Sequence, residues 1–285
     1  MKKINKAVIA VAGSGTRFLP ATKALPKEML PIIDKPIIQL VVEELVEAGI
    51  TKIIFVTRSD KKPLEDHFDH SAALEYELDK SGKTNRLKEV SRVAEMANFA
   101  YIRQKGPYGN GAPLLSAADW IKETEDFVYC FGDDIVMSYI SFTKQMISEY
   151  MRHGSPIIGV QEVPRDQVNR YGIVETDKEN RMLSIIEKPS IIEAPSNYAS
   201  FGRMILNQEI LEILKKTECG KDGELWMTDA IKEYVARGGT MYVKPVENGQ
   251  WYTTGDPISL FKANFVQWMD HGSKEEILEF VKEYI

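Results

Sequence analysis

The sequence predicts an α/β protein with helices on both faces of a mixed sheet, and three observations lead there. Short apolar runs without polar alternation, at residues 7–12, 52–57 and 127–131, are typical of strands covered on both faces. Between them lie segments whose apolar positions recur every three or four residues, as at Ile37, Ile38, Val41, Val42, Leu45 and Val46. The two kinds alternate, and that rhythm builds βαβ units and a parallel sheet.

In order along the chain, residues 7–12 give the first strand. The helix that begins after Pro36 stops at Gly49, a residue suited to the backbone turn past a last helical turn. Residues 52–57 follow as the second strand. The charged stretch 61–97 has helical spacing, interrupted at Ser81-Gly82. A strand at 100–104, a Gly/Pro loop at 106–111, a helix at 112–121, a strand at 127–131, a helix at 141–153 and a strand at 156–162 come next. There the rhythm changes. Residues 172–176 and 183–187 flank the polar stretch 177–181, which predicts an antiparallel hairpin. A strand at 201–206, helices near 208–215 and 226–236, a strand at 241–245 and two helical stretches from Pro257 complete the pattern. No internal repeat or linker interrupts it. The expected organisation is a single domain over residues 1–285. It has a Rossmann-like α/β/α core over approximately 1–165, then a small β lobe and C-terminal helices over approximately 166–285.

Composition narrows the functional classes. With 285 residues, 44% hydrophobic and 27% charged, the chain can bury a sizeable core and has an ordinary globular make-up. A net charge of −6 argues against nucleic acid or an acidic membrane as partner. The two cysteines, Cys130 and Cys219, form neither a zinc pattern nor a disulfide framework. No apolar run approaches the ~18 residues of a membrane span. The apolar stretch after the basic N-terminus is short for a signal peptide, so the expected location is cytoplasmic.

Two motifs carry chemistry. Gly13-Ser14-Gly15-Thr16-Arg17 directly follows the first strand, where small residues let backbone N–H groups approach phosphate and Arg17 adds a multi-donor cation. Taken alone, this reads equally well as a tight surface turn. It has neither the third glycine of a dinucleotide fingerprint nor the Gly-Lys-Ser/Thr ending of a P-loop. Gly132-Asp133-Asp134 follows the strand at 127–131, at the strand end where open α/β sheets bind ligands, and offers hard oxygens to Mg²⁺. The alternative for those aspartates is a helix cap. The four histidines, His67, His70, His153 and His271, lie in charged, helix-like segments, and no nucleophile–base constellation is visible.

Val8-Ile9-Ala10-Val11-Ala12-Gly13-Ser14-Gly15-Thr16-Arg17-Phe18-Leu19-Pro20-Ala21-Thr22-Lys23, with Pro26-Lys27-Glu28-Met29-Leu30-Pro31, strongly resembles the signature of bacterial UTP–glucose-1-phosphate uridylyltransferases. That family belongs to the sugar-1-phosphate nucleotidylyltransferases, with the nucleotide-diphospho-sugar transferase (GT-A-like) fold. The resemblance implies Mg²⁺-dependent joining of UTP and glucose 1-phosphate into UDP-glucose and pyrophosphate by a homodimer or homotetramer. It implies that Ala12, Gly13, Gly15, Thr16 and Arg17 line the nucleotide site, that Arg17 and Lys27 grip the triphosphate, and that Glu28 lies close by. By the match of Ile102-Arg103-Gln104, Gln104 reads the uracil edge, and Gly109 and Gly111 belong to the loop that packs on the base. Asp133 is the implied metal ligand, supported by Asp134 on the sugar side. Tyr171-Gly172-Ile173-Val174 and Glu187-Lys188-Pro189 resemble sugar-binding motifs. They place Gly172 and Glu187 at sugar hydroxyls and Lys188 at the sugar phosphate, with Gly202 on a nearby strand. Trp226 reads most simply as a packed aromatic.

The chain departs from the family pattern twice. Ala112-Pro113 follows the base loop where a histidine is usual. Thr253 stands where related enzymes carry a second metal aspartate, and nearby Asp256, before Pro257, reads as a helix N-cap. Alternatives at this level are a sister enzyme for another nucleotide or sugar, or a non-catalytic sugar-nucleotide sensor.

Overall fold

The structure, a computed structural model, describes residues 3–284. The first half supplies β1 (Lys6–Ala10), a small ribbon of β2 (Pro31–Ile32) and β3 (Lys35–Pro36), α1 (Ile37–Glu47), β4 (Lys52–Thr57), α2 (Lys62–His67), α3 (Ala72–Lys80), α4 (Thr84–Glu95), β5 (Asn98–Arg103) and α5 (Ala112–Ala117). The break expected at Ser81-Gly82 separates α3 from α4. Next come β6 (Phe127–Phe131), β7 (Asp134–Ser138), α6 (Phe142–His153) and β8 (Ile157–Glu162), then the antiparallel hairpin β9 (Gly172–Thr176) and β10 (Met182–Glu187). The chain finishes with β11 (Tyr198–Leu206), α7 (Gln208–Leu214), α8 (Met227–Ala236), β12 (Tyr242–Pro245), β13 (Gly249–Thr253), α9 (Pro257–Asp270) and α10 (Lys274–Lys282).

Nine strands form one mixed sheet, in the order β10-β9-β11-β6-β1-β4-β5 with β8 and β12 branching from β11. β1, β4, β5 and β6 run parallel, and β11 is antiparallel to β6. Because strand side chains alternate, adjacent residues feed different cores. Ile9, Phe55 and Cys130 pack on one face with Val41, Leu45 and Met146 of α1 and α6. Val8, Val56 and Tyr129 pack on the other with Leu114, Leu211 and Ile231 of α5, α7 and α8. The expected three-layer α/β/α arrangement is therefore present. The hairpin joins this sheet through β11, so the added β structure extends the core sheet along its edge.

Two features position the site. From β1 the chain builds outward through β4 to β5, then returns to β6 on the opposite side of β1. That reversal opens a crevice at the carboxyl ends of β1 and β6. The second feature is a fork in β11: residues 198–200 pair with β9, residues 203–206 pair with β6, and β8 runs along the other edge. Gly202 sits at the fork with φ +73°, and a Cβ there would lie 2.0 Å from the Phe131 ring. The missing side chain lets Phe131 pack over the fork and into the crevice.

One pairing is absent from the sequence-level expectation. β7 and β13 form a separate two-stranded antiparallel sheet with Thr253 opposite Asp134. It carries the segment around Thr253 and Gly255 back against the carboxyl end of β6.

Candidate active site

A cleft of about 670 Å³ opens at the parallel strand ends. Ala12, Gly13 and Arg17 line it from the loop after β1, with Lys27 behind them. Gln104 lines it directly after β5, Gly109 from the following loop, and Asp133 just past β6. The structure thus gathers seven of the residues singled out from the sequence into one space.

Lys27 and Asp133 form the electrostatic centre. Lys27 Nζ donates to Asp133 Oδ2 at 2.5 Å. Burial disfavours the Lys27 ammonium, but Asp133 and then Glu28 outweigh it and hold the group above the usual lysine value. Burial likewise pushes Asp133 up, yet Lys27 and Arg17 together hold its carboxyl below the usual range. Both groups stay charged. Gly13 and Gly15 leave room for the lysine stem: a Cβ on either would stand 3.3 Å from Lys27 Cε or 3.2 Å from Lys27 Cβ. Thr16 opens the short 3₁₀ turn Thr16–Phe18 that carries Arg17.

The β7–β13 pairing closes this centre from the far end of the chain. Thr254 donates to the Asp133 carbonyl oxygen through its backbone N–H at 2.9 Å and its hydroxyl at 2.7 Å. Arg17 Nη1 donates to the Gly255 carbonyl at 3.2 Å. Asp133 Oδ2 and Thr253 Oγ1 each lie 3.5 Å from the point a Cβ on Gly255 would occupy. Thr253 therefore does stand beside the metal-ligand candidate. Asp256 does not replace it: its carboxylate caps α9, accepting from Ser259 N at 3.0 Å and Ser259 Oγ at 2.8 Å.

Two further carboxylates, Glu28 and Asp134, are buried outside the lining of the cleft. Glu28 is 1% exposed and accepts from Lys61 Nζ at 2.8 Å, with Lys61 itself 2% exposed. Its carboxyl is raised by burial against the opposing pull of Lys61 and Lys27. Asp134 alternates away from Asp133 at the start of β7 and accepts from Trp251 Nε1 at 2.8 Å. Burial, and next the charge of Asp133, push its carboxyl up to about 8.

The sugar-motif residues Gly172, Glu187, Lys188 and Gly202 lie outside the lining of this cleft. Gly172 and Glu187 face each other across the hairpin, with Glu187 Oε2 3.3 Å from the point a Cβ on Gly172 would occupy. Lys188 follows β10, and its ammonium stands 4.3 Å from the centroid of Trp226, a residue that lines the cleft. Trp226 is thus a wall residue as well as a packed aromatic. Gly111 serves the wall through its backbone, donating to the Leu225 carbonyl at 2.8 Å.

Arg58 and Lys105 also line the cleft and were not singled out from the sequence. A signal existed, since each lies just past a predicted parallel strand, where such sheets bind ligands. Lys61 had no comparable signal: its pairing with Glu28 spans 33 residues and depends on the fold.

The chain is similar to known proteins over nearly its full length. A UTP–glucose-1-phosphate uridylyltransferase of Bacillus subtilis, YngB, is 43% identical over 289 residues, covering 100% of this chain and 96% of that protein. One from Staphylococcus saprophyticus is 44% identical over 98% of each. Among solved structures, a UDP-glucose pyrophosphorylase complexed with UDP-glucose superposes with a TM-score of 0.83 at 36% identity, over 94% of this chain and 100% of that one. The UTP-bound enzyme from Acinetobacter baumannii gives 0.88 at 34% identity over 99% of each. The family model described as nucleotidyl transferase matches residues 6–284, and the chain belongs to that family.

Proposed function

We propose that this chain is a UTP–glucose-1-phosphate uridylyltransferase, joining UTP and glucose 1-phosphate into UDP-glucose and pyrophosphate. The observation that carries the reading is the single cleft that unites Arg17, Lys27, Gln104 and Asp133 with the wall on which Lys188 rests. Full-length identity of 43–44% to enzymes of that name supports it.

A phosphate oxygen of glucose 1-phosphate attacks the α-phosphorus of UTP in line, and the bond to the departing pyrophosphate breaks. The attacking oxygen is already anionic at neutral pH, so no side chain has to remove a proton. The barrier is the approach of two polyanions, and the protein meets it by positioning and charge neutralisation. Arg17 and Lys27 hold the triphosphate, Lys188 holds the incoming phosphate, and Gln104 reads the base edge. Gly109 and its loop pack against the base. Gly172 and Glu187 orient the sugar.

Asp133 would hold a divalent ion. Its carboxylate is kept ionised, and among the described residues no cluster of three or more His, Cys, Asp or Glu side chains is assembled for a metal. One carboxylate supplemented by substrate phosphates and water suits Mg²⁺. When bound, such an ion neutralises phosphate charge and orients the phosphoryl oxygens. Lys27, paired with Asp133 here, would turn to the triphosphate.

A coupled pyrophosphate-release assay over a nucleotide-by-sugar panel tests the reading. UTP with glucose 1-phosphate gives the highest kcat/KM. Faster turnover with dTTP, ATP or another sugar 1-phosphate would overturn the substrate assignment. UDP-glucose binding without turnover in Mg²⁺ would make the chain a sensor.

A further inference from the structure

Lys188 is a long, flexible cation, and its usefulness depends on where its ammonium waits. It follows β10 with φ +44°, and its backbone N–H donates to the Tyr171 carbonyl at 3.0 Å. The ammonium stands 4.3 Å from the Trp226 ring centroid, a distance at which the ring's negative face attracts a cation. Trp226 is itself anchored. Leu225 N–H donates to the Tyr108 carbonyl, Gly111 N–H to the Leu225 carbonyl and Met227 N–H to Asn110 Oδ1, each at 2.8 Å. The two segments lie so close that a Cβ on Gly109 would be 2.3 Å from the Leu225 carbonyl oxygen. Tyr129, from β6, adds a hydrogen bond from its hydroxyl to the Asn110 carbonyl at 2.5 Å. The loop expected to pack on the base and the segment bearing Trp226 therefore form one stitched wall.

We infer that Trp226 is a positioning residue for Lys188, holding the ammonium by its π face and tying its place to the loop that receives the nucleotide base. The inference rests on Lys188 being the cation for the phosphate of glucose 1-phosphate. It gives the wall two jobs: one side packs on the base, and the indole confines the cation that meets the second substrate.

A kinetic series on the full chain tests this: W226Y, W226F, W226L, K188M and the W226L/K188M double variant. If the π face acts, KM for glucose 1-phosphate climbs from Trp through Tyr and Phe to Leu, by about threefold to thirtyfold at Leu, while KM for UTP moves by less than about twofold. The double variant is no worse than K188M alone, because the indole has lost the cation it served. A packing role predicts a different result: W226L resembles W226F, and its effect adds to that of K188M. Either of those outcomes overturns the inference. If K188M leaves KM for glucose 1-phosphate unchanged, the Lys188 assignment itself fails. If K188M raises that KM while the Trp226 series is flat, only the role of Trp226 fails. Should W226L not fold, the ordering of Trp, Tyr and Phe still decides.

Discussion

The two sides of the cleft solve one electrostatic problem differently. On the nucleotide side, Lys27 and Asp133 are largely buried and paired at 2.5 Å, and below them lies the fully buried pair of Lys61 and Glu28. On the proposed sugar side, Lys188 rests on an aromatic face at the end of a hairpin. The Lys61–Glu28 pair beneath needs no reorganisation when the triphosphate arrives, whereas a lysine held by a ring can move to a ligand at little cost. Pre-organisation is thus concentrated where the larger charge has to be accommodated.

The largest test of this contrast is Asp133→Ala. Removing the carboxylate from the nucleotide side leaves Lys27 unpaired and takes away the ion's ligand, and kcat in Mg²⁺ falls by about a thousandfold. A pyrophosphate-release assay reads this directly, and near-normal turnover would remove Asp133 from the mechanism. Next is Lys61→Met, which strands Glu28 as a buried charge. Stability falls by about 3–5 kcal/mol, seen as a lower urea midpoint at unchanged slope. Adding Glu28→Gln recovers part of that loss, because the stranded charge is then gone.

Lys188→Ala sharpens the other half of the comparison. KM for glucose 1-phosphate rises about tenfold to a hundredfold, the range of a hydrogen bond to a charged group, with KM for UTP little changed. The smallest effect belongs to Asp256→Ala. Loss of the cap on α9 lowers stability by about 1 kcal/mol, while turnover persists. A collapse of activity there would return Asp256 to the metal site.

Much of this was legible in the sequence because the signals are local. The strand Phe127–Phe131 is an uninterrupted apolar run, and α1 has its apolar residues on one face, so both emerge as expected. The phosphate loop and Gly-Asp-Asp sit beside such strands, which fixes their place at the carboxyl ends. The β7–β13 sheet was not legible. Each strand is five residues long, β13 contains Gly249 and Gln250, and the strands stabilise each other only across more than a hundred residues of chain. The same distance hid the Thr254 bonds to Asp133. The resemblance set Glu28 close by and Asp134 in support of Asp133, but their buried partners, Lys61 and Trp251, come from distant parts of the chain and left no local signal. Trp226 read as core because an aromatic at a helix start normally is one, and its contact with Lys188 joins elements that only the fold brings together.

In the proposed mechanism, different cations meet the two anionic substrates. The most direct measurement is a comparison of Lys27→Met and Lys188→Met by initial rates of pyrophosphate release, with UTP and glucose 1-phosphate each varied. A crossed pattern is expected: loss of Lys27 weakens use of UTP, and loss of Lys188 weakens use of glucose 1-phosphate. Both substitutions raising the KM of the same substrate would contradict it.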